Sequence, residues 1–297
     1  MYYLQFFSPW HKLGHRNKKE RTLFMPIKAD YHVHSYFSGD STAPMEQMIQ
    51  GAIQKGLTRL CFTEHMDFEF PYQPTDKPDM FIVNTDSYLY ELLMLREKYN
   101  PQIEIHFGIE LGLQTSIVRQ NLIYSRSHEF DFIIGSSHVC NGKDPYYPAF
   151  YEKRSEEEAY REYFISILDN MKVFHNFDVY GHLDYVVRYG PNKDTNYTYS
   201  KYKDVIDPIL SFLIENEKGL EVNTAGLTKG LKDVHPCTDI LKRYRELGGE
   251  IITIGSDSHS PNTLGAHFDK AAEILTDCGF KYYCVFANRI AEYLRIH

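Results

Sequence analysis

Chemistry is first suggested by the stretch from Ala29 to Asp40, which contains His32-Val33-His34. In an extended strand alternate side chains face the same way, so both imidazoles project together, a spacing that suits two nitrogens on one metal ion. Gly39 lets the chain turn and Asp40 follows. Two strand histidines can also be satisfied by core hydrogen bonds, so the pair alone decides nothing. Five later stretches repeat one pattern, a short apolar run rich in β-branched residues that ends in a ligand-type residue. They end at His65, Glu110, His138, His182, and Asp257 with His259. Chance would scatter histidines and carboxylates within strands and helices as often as at strand ends, so the recurrence points to one shared site.

Nine residues make the candidate set: His32, His34, Asp40, His65, Glu110, His138, His182, Asp257 and His259. One catalytic zinc takes about three protein ligands, so the set suits two or three ions that share a bridging carboxylate. Mixed imidazole and carboxylate ligation fits Zn, Mn or Fe, and the lack of cysteine argues against a structural thiolate site. Multinuclear sites of this kind activate a bridging water and clamp phosphoryl oxygens, so hydrolysis of a phosphate ester is the expected reaction. Arg188, six residues beyond His182, either presents a planar guanidinium to the substrate phosphate or is a surface-loop arginine. Lys143 and Arg119 are weaker candidates for the same role. His106 lies inside an apolar strand on the ligand face and reads as a core histidine, while His128, His175, His235 and His267 stay outside the metal set.

Elements that alternate along the chain must position these groups. The strand to His34 is followed by a helix from Pro44 to Lys55, the strand to His65, and a long loop from Phe68 to Val83 with three prolines. Loops of that length are usually lids or binding loops. A helix from Asp86 to Tyr99, the strand to Glu110, a helix from Thr115 to Ser127 and the strand to His138 come next. After a second loop, Cys140 to Tyr151, Ser155 and Glu158 resemble a capping box opening a helix to about Asn176. The strand to His182, a helix from Lys201 to Lys218, a short strand from Leu220 to Asn223 and a helix from Asp239 to Leu247 continue the alternation. The strand to Gly255, a helix from about Thr263 to Cys278 and a final segment from Tyr282 to Ile296 complete seven β/α units with no linker between them. Repeated units of this length imply parallel strands, and seven of them favour a closed barrel whose catalytic groups sit at the C-terminal strand ends.

Composition agrees with one barrel-sized domain. The chain has 297 residues and a net charge of -8, which argues against a broad nucleic-acid or membrane footprint and for small soluble substrates. Five cysteines with no Cys-x-x-Cys pair suggest a reducing, cytoplasmic setting, and no apolar run reaches the ~20 residues of a membrane span. Residues 1–24, aromatic and then basic, read as a poorly ordered extension, with the domain running over 25–297.

His32-Val33-His34 with Asp40, Thr63-Glu64-His65, Gly108-Ile109-Glu110, Gly135-Ser136-Ser137-His138, Gly181-His182-Leu183-Asp184 and Ser256-Asp257-Ser258-His259 resemble, in order, the motifs of the polymerase and histidinol phosphatase (PHP) superfamily. The resemblance covers about Met25 to the C-terminus and implies a distorted TIM-like (β/α)7 barrel of the PHP type with three divalent ions (Zn, Mn or Fe). It implies that His32, His34, Glu110 and Asp257 hold the first ion, Glu110, His138 and His182 the second, and Asp40, His65 and His259 the third. Asp40 stands where some relatives have histidine, a harder oxygen ligand. Asp184 and Glu64 either orient ligand imidazoles or are solvated loop charges. Within the superfamily the resemblance is greatest to the histidinol-phosphatases, which implies a phosphomonoesterase acting on L-histidinol phosphate; Glu110, Asp257, His259 and, from its position alone, Arg188 are the expected catalytic group. A phosphotyrosine-protein phosphatase, a nucleotide phosphoesterase and a non-catalytic metal-stabilised module are the rival readings.

Overall fold

Short β-branched runs with glycine or a helix at each end become the staves of a barrel. In the computed structural model, which describes residues 26–74 and 76–297, the strands are β1 (Ala29–Val33), β2 (Arg59–Met66), β3 (Glu104–Gly112), β4 (Phe132–Ser136), β5 (Val179–Tyr180), β6 (Gly219–Asn223) and β7 (Ile252–Gly255). The extension expected over residues 1–24 lies outside the described residues. The seven strands pair in parallel in chain order, β1 to β7. Past the last strand, His34 N donates to Ser258 O at 2.9 Å and a parallel bridge joins Val33 to Ser258, so the barrel is nearly closed. This is the expected (β/α)7 architecture. The strands are buried almost throughout, as helices covering a parallel barrel require.

The helices are α1 (Met45–Gln54), α2 (Thr85–Tyr99), α3 (Val118–Tyr124), α4 (Glu156–Val173), α5 (Tyr199–Glu215), α6 (Ala225–Thr228), α7 (Thr238–Glu246) and α8 (Phe268–Asp277). The capping box holds: Glu158 N donates to Ser155 Oγ at 3.2 Å and Ser155 N to Glu158 Oε2 at 2.8 Å. Two expected helices are shorter than the sequence suggests. Thr115–Ile117 is a 3₁₀ turn ahead of α3. The helix expected from Thr263 begins at Phe268, because Gly265 and His267 have φ of 58° and 61°, which a right-handed helix cannot include.

β1 departs from simple alternation. Between Asp30 and Val33 it advances three residues while β2 advances two, from Leu60 to Phe62, which is a bulge. Tyr31 and His32 consequently both reach β3: the Tyr31 ring lies 5.6 Å from that of His106, and His32 Nε2 lies 3.2 Å from Glu110 Oε2. The final segment forms an antiparallel hairpin of β8 (Tyr282–Ala287) and β9 (Ile290–Arg295), a pairing the sequence reading does not contain. It crosses the N-terminal ends of the strands. Phe286 packs 5.0 Å from Phe132 and its carbonyl accepts from Tyr31 Oη at 3.0 Å. Asn288 N donates to Asp131 Oδ1 at 3.1 Å, and Arg289 Nε to Asp178 Oδ2 at 2.5 Å. One end of the barrel is sealed in this way, which leaves the opposite end for the site.

Candidate metal centre and active site

Glu110, the third residue from the end of β3, stands where five imidazoles converge. Its Oε2 lies 3.2 Å from His32 Nε2, 3.5 Å from His34 Nε2 and 3.1 Å from His65 Nδ1. Its Oε1 lies 3.1 Å from His138 Nε2 and 2.8 Å from His182 Nε2. Asp257 Oδ1 sits 3.8 Å from His32 and 3.6 Å from His34. Asp40 Oδ2 completes the far side, 3.0 Å from His259 Nε2 and 3.7 Å from His65 Nε2. The structure therefore brings all nine sequence-derived residues to one place. Their donor atoms fall into overlapping groups, each within 4.8 Å: His32, His34 and Glu110; His32, His182 and Asp257; His65, Glu110 and His138; and His34, His65 and His259.

Local sequence explains the aim of each ring. A Cβ at Gly255 would collide with His32, and one at Gly112 with Asp67, so both glycines permit close approach where no side chain fits. His34 Nδ1 pairs with Ser38 Oγ at 3.0 Å, and Ser38 Oγ donates to Glu64 Oε2 at 2.5 Å. Glu64, fully buried, also accepts from Ser35 N at 3.0 Å, so it orients a candidate ligand and is not a solvated charge. Asp184 is equally buried but faces His235 rather than any of the nine.

Can these residues hold metal? His32 Nε2, His34 Nε2, His65 Nδ1, His259 Nε2 and Glu110 Oε2 are all buried with no hydrogen-bond partner. Orphaned buried polar atoms are costly, and here they face one another as nitrogen and carboxylate donors of divalent ions do. Protonation states divide the crown: against the lowering effect of burial, neighbouring carboxylates raise the pKa of His32, His65, His138 and His259, whereas His34 and His182 are lowered. Burial opposes a charged His34, and His259, His65 and His32 reinforce that, holding its pKa well below the usual value and its ring neutral. Burial also works against the Glu110 carboxylate, yet His32, His138 and His65 outweigh it and keep the pKa well below the carboxylate range. The residues fit a cluster of divalent ions.

Four participants escaped the sequence reading. Glu221, in the middle of β6, accepts from His32 Nδ1 at 2.5 Å and from His182 N at 2.7 Å. Asp67 receives His138 Nδ1 at 2.8 Å. The Tyr185 ring lies 5.0 Å from that of His182, tilted by 37°. Lys229 is a cation on the cavity wall. Glu221 and Asn223 share a face in the short strand, and that alternation was the available signal. Arg188, 7% exposed, lies over the Tyr185 ring at 5.2 Å with Nη2 3.4 Å from Asp257 Oδ2, so it is a buried arginine on the cavity lining and not a surface-loop one. Lys143 and Arg119 are exposed and do not line the cavity. His106 is a buried histidine of the barrel interior, 3.1 Å from Glu104.

The cavity above the cluster measures about 770 Å³. Its lining includes Arg188 and Asp257 together with Asp76, Asp144, Tyr146 and Tyr147 from the two long loops, and Tyr146 lies 5.2 Å from Tyr189 beside Arg188. Burial pushes Asp144 up to about 6 against the hydrogen bond from Tyr146 N. Tyr147 Oη donates to Asp76 Oδ2 at 3.2 Å and ties one loop to the other.

A barrel of seven β/α units with a crown of histidines and carboxylates at its C-terminal strand ends defines a metal-centred barrel of the hydrolase type. The PHP domain model matches residues 30–225, and the chain belongs to that family. Asp257 and His259 lie beyond the matched segment. The histidinol-phosphatase of Lactococcus lactis subsp. lactis is 35% identical over 88% of this chain and 95% of its own. A Clostridium acetobutylicum protein named probable histidinol-phosphatase is 33% identical over 89% of this chain and 98% of its own. The crystal structure of the Lactococcus lactis histidinol phosphate phosphatase, complexed with zinc, L-histidinol and phosphate, superposes with a TM-score of 0.80 at 33% identity, covering 89% and 98% of the two chains.

Proposed function

We propose that the protein is a metal-dependent phosphomonoesterase that hydrolyses L-histidinol phosphate to L-histidinol and phosphate, a reaction of histidine biosynthesis. The observation that carries this reading is Glu110 at the meeting point of five imidazoles, beside a cavity lined by Arg188 and Lys229 as well as by Asp76 and Asp144. Three ions are proposed: one held by His32, His34, Glu110 and Asp257, one by Glu110, His138 and His182, and one by Asp40, His65 and His259. Zn, Mn and Fe all suit these donors. When bound, such ions polarise the phosphoryl oxygens and supply a nucleophilic water at neutral pH.

The chain's own groups do the rest. Glu110 offers both oxygens across the cluster, so one carboxylate balances two positive centres. Arg188 faces the same space and stabilises the equatorial charge of the phosphoryl group as the ester bond breaks. Asp76 and Asp144, with the tyrosines beside them, complement a small cationic organic group in the same cavity, as histidinol is. Among the described residues no helix is long and apolar enough to cross a membrane. The net charge of -8 supports a small-molecule substrate over a nucleic-acid or membrane partner, and five free cysteines support a reducing, cytoplasmic setting.

Phosphate release by metal-loaded protein from histidinol phosphate, a phosphotyrosine peptide and nucleotides tests the substrate. Histidinol phosphate is expected to lead in kcat/KM by on the order of 100-fold or more, the scale of a lost charged contact plus lost fit. A faster reaction with either rival overturns the assignment and moves the protein to that class.

A further inference from the structure

Asp184 and His235 are buried, each 1% exposed, and neither approaches the nine candidate ligands as closely as it approaches the other. Asp184 follows His182 by two residues. His235 belongs to the irregular segment after α6 and is pinned to the end of β6: Asn223 N donates to His235 O at 2.7 Å, and His235 N to Asn223 O at 2.8 Å. Asp184 Oδ1 lies 2.5 Å from His235 Nδ1, while Oδ2 accepts from Cys237 N at 2.9 Å. A carboxylate only accepts, so Nδ1 is the donor to Asp184, and Nε2, which faces an Arg188 N–H, is the ring's acceptor. Arg188 Nε donates to Nε2 at 3.5 Å. A Cβ at Gly226 would come within 3.2 Å of His235 Cδ2, so the ring has little room to swing away.

We infer that His235, fixed by Asp184, is a positioning residue for Arg188. It does not line the cavity and so acts only through the arginine. A guanidinium has five N–H donors; one points at His235 and two, at 3.5 and 3.4 Å, at Asp257 Oδ2, so His235 and Asp257 do not exhaust the group and N–H capacity remains on the cavity side. Anchoring Nε fixes the plane of the group before substrate arrives, so less rotamer entropy is lost on binding. The inference rests on the reading that Arg188 contacts the substrate phosphate.

A double-mutant cycle tests it. Arg188→Ala should lower kcat/KM on histidinol phosphate by roughly 10- to 100-fold with metal content unchanged. His235→Ala should lower it about 10-fold and weaken inhibition by inorganic phosphate, but by less than about 2-fold when added to Arg188→Ala, since the two act as a unit. His235→Gln, whose amide oxygen can accept from Nε, should recover most of the loss. If His235→Ala does not accumulate as folded protein, Asp184→Asn replaces it in the same cycle. Equal losses in both backgrounds overturn the positioning role while leaving the phosphatase reading intact. Wild-type behaviour of Arg188→Ala overturns the phosphate contact itself, and the positioning role with it. A wild-type protein inert on histidinol phosphate sinks the substrate assignment instead.

Discussion

Exchanging one oxygen of Glu110 for an amide nitrogen preserves shape and removes the charge that five imidazoles surround. Glu110→Gln should therefore lower turnover by about 10³-fold or more on every phosphate ester, small artificial ones included, and reduce the metal retained after dialysis. Near-normal turnover in that variant would remove Glu110 from the centre of the mechanism. The nine crown residues were legible because each stands at or just past the end of an apolar run, where periodicity alone marks a barrel's working face. Glu221 was not, because it lies within β6 and its run carries no histidine. Asp67 reads as an ordinary loop acid, and only the turn of the chain after β2 brings it to His138. His235 sits in irregular backbone, where no period assigns a face, and its role depends on a partner 51 residues away.

At the scale of elements, the β8–β9 hairpin is fastened by Phe286 packing, by the Arg289–Asp178 pair and by a second carboxylate, Asp131. Asp131 accepts from Asn288 N at 3.1 Å, Phe107 N at 2.8 Å and Arg96 Nη2 at 3.0 Å. Burial would raise its pKa, but His106, Phe107 N and Asn288 N outweigh burial and lower it. A lowered folded pKa means that its stabilising contribution is complete above the ordinary value near 4 and is lost as pH falls through the folded one. Asp131→Ala should cost about 2 kcal/mol near pH 7, and its Tm deficit should shrink as pH drops below about 4. A deficit that does not change with pH would mean packing, not charge, fastens the hairpin. The hairpin was not readable as two strands because its polar face alternates weakly, and its anchors lie far off in sequence. The helix boundaries slipped for a different reason: left-handed residues such as His267 carry no sign in composition.

For the whole molecule, the hydrophobic core and the metal crown are separate stores of stability. Stripping metal with a chelator should abolish activity and lower Tm by about 10 °C or more, because the folded state alone offers the converging ligands. The far-UV circular dichroism at 20 °C should persist, since strands and helices rest on apolar packing. Loss of helical signal on chelation would show that the crown is needed for the barrel to form.

The seam between Val33 and Ser258 sets an order for biosynthesis. A ribosome that has released residues through β6 has produced six staves, His32 and His34 among them, with an open edge on β1 and with Asp257 and His259 still to come. The metal centre can be completed only after translation has passed residue 259, and the hairpin that seals the other end emerges later still. Joining the first strand to the last couples segments more than 220 residues apart, a high-contact-order step and therefore a slow one. During that interval the unpaired edge is exposed to neighbouring nascent chains. The same connection that gives the mature enzyme its closed barrel makes the unfinished chain a natural client for chaperones.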